Sequence, residues 1–277
     1  MFPAATDPSV LPLWGELPIA VVIGFTLGLV GGIAGLVLGN LRLPLVFFLL
    51  GSAPVAAGTN IGISATSAMA GIIPHWRRGT IQWRVFSFMA PAAIAGGFVG
   101  GFYSARVPQG ALLLLLSVVV TYGAIGTLRR SRELRTALEG DGAPSAPHGF
   151  SIQERSGAMV SSVIGLAVGS LGGLVGLLLG TVRLPTMLRL LRIEPRLAVG
   201  TNLAVGLVTG ISGLVGHLVG GGVDWELLVT MGVASAVGSN LGARLVGRLS
   251  TPALLQAIGM ISLAVAGVMF WRAAVEF

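Results

Sequence analysis

The sequence predicts an all-α, polytopic membrane protein of about eight transmembrane helices, built as two four-helix repeats, each carrying a proline-broken, re-entrant half-helix. Three observations lead there. Of 277 residues, 54% are apolar and only 10% charged, with a mean hydropathy of +0.90; soluble domains carry about 25% charged residues. Apolar runs of the roughly 20 residues that a helix needs to cross a hydrocarbon core recur along the whole chain. Finally, residues 28–44 (GLVGGIAGLVLGNLRLP) return as residues 169–185 (GSLGGLVGLLLGTVRLP), with every glycine of the run, the arginine and the proline kept. Beyond that run, Pro54 recurs as Pro195, Gly58-Thr59-Asn60 as Gly200-Thr201-Asn202, His75 as His217, Trp83 as Trp225, and Gly96 and Gly100 as Gly238 and Gly242. Self-similarity of this extent is a tandem duplication.

In chain order, residues 1–16 read as a polar, proline-containing lead. They lack the basic n-region and cleavage site of a secretory signal. Crossings follow at about 17–39, 54–74, 81–105 and 109–128 in repeat 1 (17–128). Repeat 2 (157–277) has them at 157–180, 195–219, 224–247 and 252–275. Residues 129–156, with several arginines, Gly140, Pro144 and Pro147, form the polar linker between them. The first helix of each repeat is expected to stop near Gly39 or Gly180, because Pro44 and Pro185 remove a backbone donor and constrain the residue before them. The short apolar pieces from those prolines to Leu50 and Leu191 rise only about 10 Å in seven helical residues, so neither crosses alone. Pro54 and Pro195 sit well in the first turn of the next helix.

Composition also excludes. With no cysteine there is no disulfide, thiolate chemistry or cysteine-ligated metal. All 17 basic residues are arginine and the net charge is +7, but arginines spread through membrane loops report the positive-inside rule rather than nucleic acid. Nine lie on the side that both termini would share and eight on the other, so both termini are expected inside. Many of the 43 glycines fall at small-xxx-small spacing, which lets helices approach closely in lipid. No hydrolase, intramembrane protease or ATP-binding motif is present, and no crossing has Asp or Glu at its middle. A cation site or acidic channel ring is therefore not expected. No metal or cofactor is expected either.

Two broken helices at equivalent places in two repeats are where membrane transporters commonly put their sites. Helix N-termini attract anions, and a guanidinium fork matches oxyanions. Arg42 and Arg183 are therefore candidates to neutralise an anion, with Thr59, Asn60, Thr201, Asn202, Asn40 and Thr181 to orient it. The plainer alternative is that the arginines snorkel to an interface while the Thr-Asn pairs hold helices together. His75 and His217 are candidates for a proton relay, against simple capping of helix ends.

The set of features (a glycine-rich first helix ending toward a proline, a second proline, Ala-x-Gly-Thr-Asn, then a downstream histidine and glycines, all duplicated) resembles the sulfite exporter TauE/SafE family of membrane transport proteins, from about Gly24 to Arg248. That resemblance implies movement of sulfite or related organosulfur anions. Members typically show three glycines and then aliphatics before the first proline, whereas this chain has Asn40 and Arg42, and Thr181 and Arg183, at those places. The expected function is thus a secondary transporter of a small sulfur-containing anion in the cell (inner) membrane, working by alternating access of the two repeats. An anion channel and a non-transporting scaffold are the alternatives. The expected partners are a small anionic substrate and the lipid bilayer, not nucleic acid; a homo-oligomer stays open.

Overall fold

The computed structural model describes residues 17–34, 38–139, 154–244 and 251–276, so the expected polar lead and residues 140–153 of the linker lie outside the described residues. Ten helices account for nearly all of what is described: α1 (Leu17–Ala34), α2 (Gly39–Leu50), α3 (Ala53–Arg77), α4 (Trp83–Ser104), α5 (Gln109–Glu139), α6 (Glu154–Val175), α7 (Gly180–Arg189), α8 (Pro195–Gly220), α9 (Trp225–Arg244) and α10 (Thr251–Glu276). Among the described residues, five stretches are long and apolar enough to cross a membrane: Trp83–Ser104, Gln109–Glu133, Gly157–Val175, Arg196–Gly220 and Pro252–Glu276.

α3 is long enough but not apolar enough, for a physical reason. Every residue from Ala56 to Ala65 is buried, so the first half of this helix meets other helices on all sides and need not be apolar toward lipid. Elsewhere the exposed faces are apolar. Val229, Val233, Val237 and Leu241 run up the outside of α9, and Ile211, Val215, Leu218 and Val219 up that of α8. A surface of this kind belongs in hydrocarbon.

The helices pair across the duplication. α1 packs on α9 and α6 on α4, α3 on α8, and α5 on α10. Glycines make the first two contacts possible. A methyl group at Gly28 would collide with the backbone of Ser235, and at Gly238 and Gly242 with the carbonyls of Phe25 and Leu29. The duplicated residues do the same on the other side: Gly169 meets the backbone of Ala93, Gly96 the carbonyl of Leu166, and Gly100 that of Ser170. Close backbone approach is how helices associate where water provides no hydrophobic drive.

Two boundaries differ from expectation. α6 ends at Val175 rather than near residue 180, and Arg42-Leu43-Pro44 and Arg183-Leu184-Pro185 lie inside the short helices rather than at a break. The stop in repeat 2 is a glycine C-cap: Gly176 is left-handed at φ 73°, and the Leu177 N–H reaches back 2.8 Å to Gly172 O, the pairing that closes helices at such a glycine. A proline six residues into a helix forfeits one bond only, and each short helix is anchored at its start. Leu38 O accepts from the N–H groups of Leu41 and Arg42, and Leu179 O from those of Val182 and Arg183. α5 also runs on to Glu139, so the first part of the expected linker is helical.

Candidate functional site

α2 and α7 both start at one cavity of about 40 Å³, lined by Gly39 and Asn40 from the first turn of α2, Gly180 and Thr181 from that of α7, and Leu177 to Leu179 ahead of it. Arg183, Asn202 and Gly206 close it from repeat 2, Ser64 from α3, and Val119 and Gly123 from α5. The first N–H groups of a helix have no partner inside the helix, and its dipole is positive there. Two such ends and a guanidinium therefore face one small space.

Each arginine is held by the asparagine of its own repeat. Arg42 Nε donates to Asn60 Oδ1 at 2.8 Å, and Arg183 Nε to Asn202 Oδ1 at 2.8 Å. α2 and α7 are short enough to lie against α3 and α8, which places the fourth residue of each short helix beside the Asn of the long one. Arg42 is 2% exposed and Arg183 is fully buried. Their neighbours are hydroxyls, amides and backbone carbonyls, with no carboxylate among them. A buried charge normally has an ion partner, and among the described residues these two have none.

Their surroundings then diverge. Arg42 donates also to Asn60 O (Nη2, 3.3 Å), Ser64 Oγ (Nη2, 2.6 Å) and Ser235 Oγ (Nη1, 3.3 Å). Arg183 has one further acceptor, Leu178 O at 2.9 Å from Nη2, and its Nη1 is buried without a partner. An orphaned buried donor costs about 1–3 kcal/mol, more when charged. Asn60 also bridges the two repeats: its Nδ2 donates to Gly39 O at 3.2 Å and to Gly176 O at 2.8 Å.

Of the residues expected in the site, Asn40, Thr181, Asn202 and Arg183 line the cavity, and Asn60 and Arg42 pack directly behind Gly39. Thr59 and Thr201 are not brought to the guanidiniums. The hydroxyl of Thr59 accepts from the backbone N–H of Asp224 at 3.0 Å, and that of Thr201 from Gln82 N–H at 2.8 Å. Those N–H groups stand just ahead of α9 and α4, so the threonines tie each central helix to a helix of the other repeat.

The histidines do not share a site either. His75 is half-buried with Nδ1 2.9 Å from Thr80 Oγ1, whereas His217 is fully buried with Nε2 2.8 Å from Gly173 O. Neither lines the cavity. Ser64 and Ser235 were missed by the sequence reading. The signal for Ser64 was its place one helical turn beyond Asn60; for Ser235, on a different helix, only the fold provides it.

Residues 20–269 match the family model described as Sulfite exporter TauE/SafE. The chain is 24% identical over 264 residues to the probable membrane transporter protein YunE of Bacillus subtilis (strain 168), covering 88% of this chain and 93% of that protein. It is 27% identical over 260 residues to a probable membrane transporter protein of Xylella fastidiosa (strain 9a5c), covering 91% and 92%. To the probable membrane transporter protein YdhB of Bacillus subtilis (strain 168) it is 26% identical over 251 residues, covering 90% and 96%. No solved structure matches the chain. A glycine-packed helical bundle, two broken helices around a buried cationic cavity, and a family match running through both repeats agree: the chain belongs to the sulfite exporter TauE/SafE family of membrane transport proteins.

Proposed function

We propose that the protein is a secondary transporter that moves a small sulfur-containing anion, of the sulfite or organosulfonate class, across the cell (inner) membrane. The observation that carries this reading is the pair of buried arginines without counter-charges, set at the starts of two helices that face one cavity. A bound anion supplies the missing negative charge. Arg42 and Arg183 neutralise it, and Asn40, Thr181 and Asn202 orient it.

Eight crossings make up the membrane domain in this reading. The five long apolar helices are joined by α1, α3 and α9, whose lipid faces or full burial excuse their shorter or more polar sequences, and α2 and α7 enter without crossing. Trp76 and Trp83 meet edge to face at 6.1 Å beside Arg77, Arg78 and Arg84, and Arg106 lies 4.1 Å over the Phe102 ring at the other end of α4. Aromatic and basic belts at both ends of a helix suit the two membrane surfaces. Glycine-packed pairs that join opposite repeats give smooth faces along which one repeat can rock against the other, as alternating access requires.

Flux of labelled sulfite into proteoliposomes tests the reading, with sulfate, thiosulfate and sulfoacetate as competitors. Saturable uptake is expected, falling at least tenfold in Arg42→Ala and in Arg183→Ala. Ion conductance far above carrier turnover would replace the carrier by a channel, and absence of flux for every oxyanion would remove the transport reading.

A further inference from the structure

The two arginines have unequal freedom, and the duplication itself accounts for it. Ser64 and Ser235, whose hydroxyls accept from Arg42 Nη2 and Nη1, correspond through the repeat to Gly206 and Ala93. Neither of those has a hydroxyl. Around Arg183 only Asn202 and a backbone carbonyl remain, and Nη1 is left with no acceptor although the side chain is fully buried. Arg183 lines the cavity and Arg42 does not. In one half of the duplicated site each guanidinium nitrogen has an acceptor in the protein, and in the other a buried guanidinium donor has none among the described residues.

We propose that Arg183 alone contacts the anion, one per chain, while Arg42, each of whose guanidinium nitrogens already has an acceptor in the protein, adds its charge from behind the start of α2. This deepens the carrier reading above and rests on it. One oxygen of the ligand accepts from Arg183 Nη1, and others face the first amides of α7 and α2 at Gly180, Thr181, Gly39 and Asn40. The space sets the size. At about 40 Å³ the cavity has roughly three times the room that a single water needs. That fits a compact inorganic oxyanion of about four heavy atoms, such as sulfite. Lack of a carboxylate near Arg183 leaves the whole guanidinium charge for the ligand, and the buried setting keeps that charge unscreened.

Refilling the lost hydroxyls tests the assignment. A Cβ at Gly206 would stand 3.4 Å from Arg183 Nη2, an ordinary contact, so Gly206→Ser places a hydroxyl beside the guanidinium as Ser64 does for Arg42. Ala93→Ser copies Ser235. Isothermal titration of the full chain in nanodiscs with sulfite, beside sulfite uptake in proteoliposomes, is expected to give one anion per chain. Affinity should fall at least tenfold in both serine variants, with an unchanged or higher unfolding temperature. Undiminished affinity in folded Gly206→Ser and Ala93→Ser overturns the inference and leaves the carrier standing. Two anions bound per chain do the same, and this count, taken on the unaltered protein, decides even where a serine variant does not fold. If the unaltered protein neither binds nor moves any of the anions, the carrier reading falls and this inference with it.

Discussion

Arg183 Nε and Asn202 Oδ1 lie 2.8 Å apart, and Arg42 repeats the same bond with Asn60 at the same distance, so an amide stands where a buried cation would ordinarily have an acid. The choice of amide over acid has a testable consequence. Asn202→Asp keeps the shape and supplies the counter-ion that a buried cation otherwise lacks. The variant is expected to unfold at a higher temperature than the unaltered protein and to lose anion uptake by tenfold or more, because the cavity is then neutral. Uptake at the original rate in a folded Asn202→Asp protein would show that the guanidinium charge is not used on a substrate.

Much of this arrangement is legible in the sequence, because a duplication marks what both halves need. Arg42 with Arg183 and Asn60 with Asn202 stand out as repeated polar residues in apolar surroundings, and the structure bonds each Arg to its own Asn. Thr59 and Thr201 were equally visible, but their hydroxyls bond backbone amides ahead of α9 and α4 rather than the guanidiniums. A hydroxyl one residue before the Asn points about 100° around the helix, and only the packing of α9 and α4 on α3 and α8 reveals that it meets their first turns. The proline rule likewise misplaced the break: it marks a lost bond, whereas the chain actually reverses at Gly176, where a left-handed conformation closes α6. Unequal serines were legible too, but carry meaning only once Ser235 of α9 is known to reach Arg42.

The glycines divide into those that hold helices together and those that do not. Gly28→Ala and Gly169→Ala each push a methyl group into the backbone of the partner helix, which has no side chain to move aside. Each is expected to cost about 1–3 kcal/mol. Nothing lies within 4 Å of a methyl at Gly71 or Gly267, and alanine there is expected to be neutral or to stabilise by up to about 1 kcal/mol. Unfolding of the four variants in a membrane mimic checks this. Equal effects at Gly28 and Gly71 would contradict the close α1–α9 contact.

Thr59→Val and Thr201→Val retain the branched shape and remove the hydroxyl that receives the N–H of Asp224 or Gln82. By analogy with helix caps, each is expected to lower stability by about 1 kcal/mol while the apparent affinity for the anion stays within twofold. Titration of stability and of uptake on the same preparations separates the two effects. A tenfold loss of affinity in either variant would return the threonines to the anion site.

His217 and His75 occupy matching places in the duplication but serve different ends. His75 meets Thr80 five residues on, and the counterpart of Thr80 in repeat 2 is Gly222. Without a local hydroxyl, His217 turns instead across the bundle to Gly173 on α6, where its ring rests against Gly58 and Gly101. Carbonyl oxygen only accepts, so the proton sits on Nε2 and Nδ1 is the atom left without a partner. Removing this side chain opens a cavity between α3, α4, α6 and α8 and strands the Gly173 carbonyl. His217→Ala is expected to cost about 3 kcal/mol, and His75→Ala, at a half-buried helix end, under about 1 kcal/mol. His217→Gln, which can still donate to Gly173, should recover part of the loss. If His217→Ala unfolds no more easily than His75→Ala but abolishes uptake, the imidazole is acting on the transported ion or its coupling proton rather than on the packing of the two repeats.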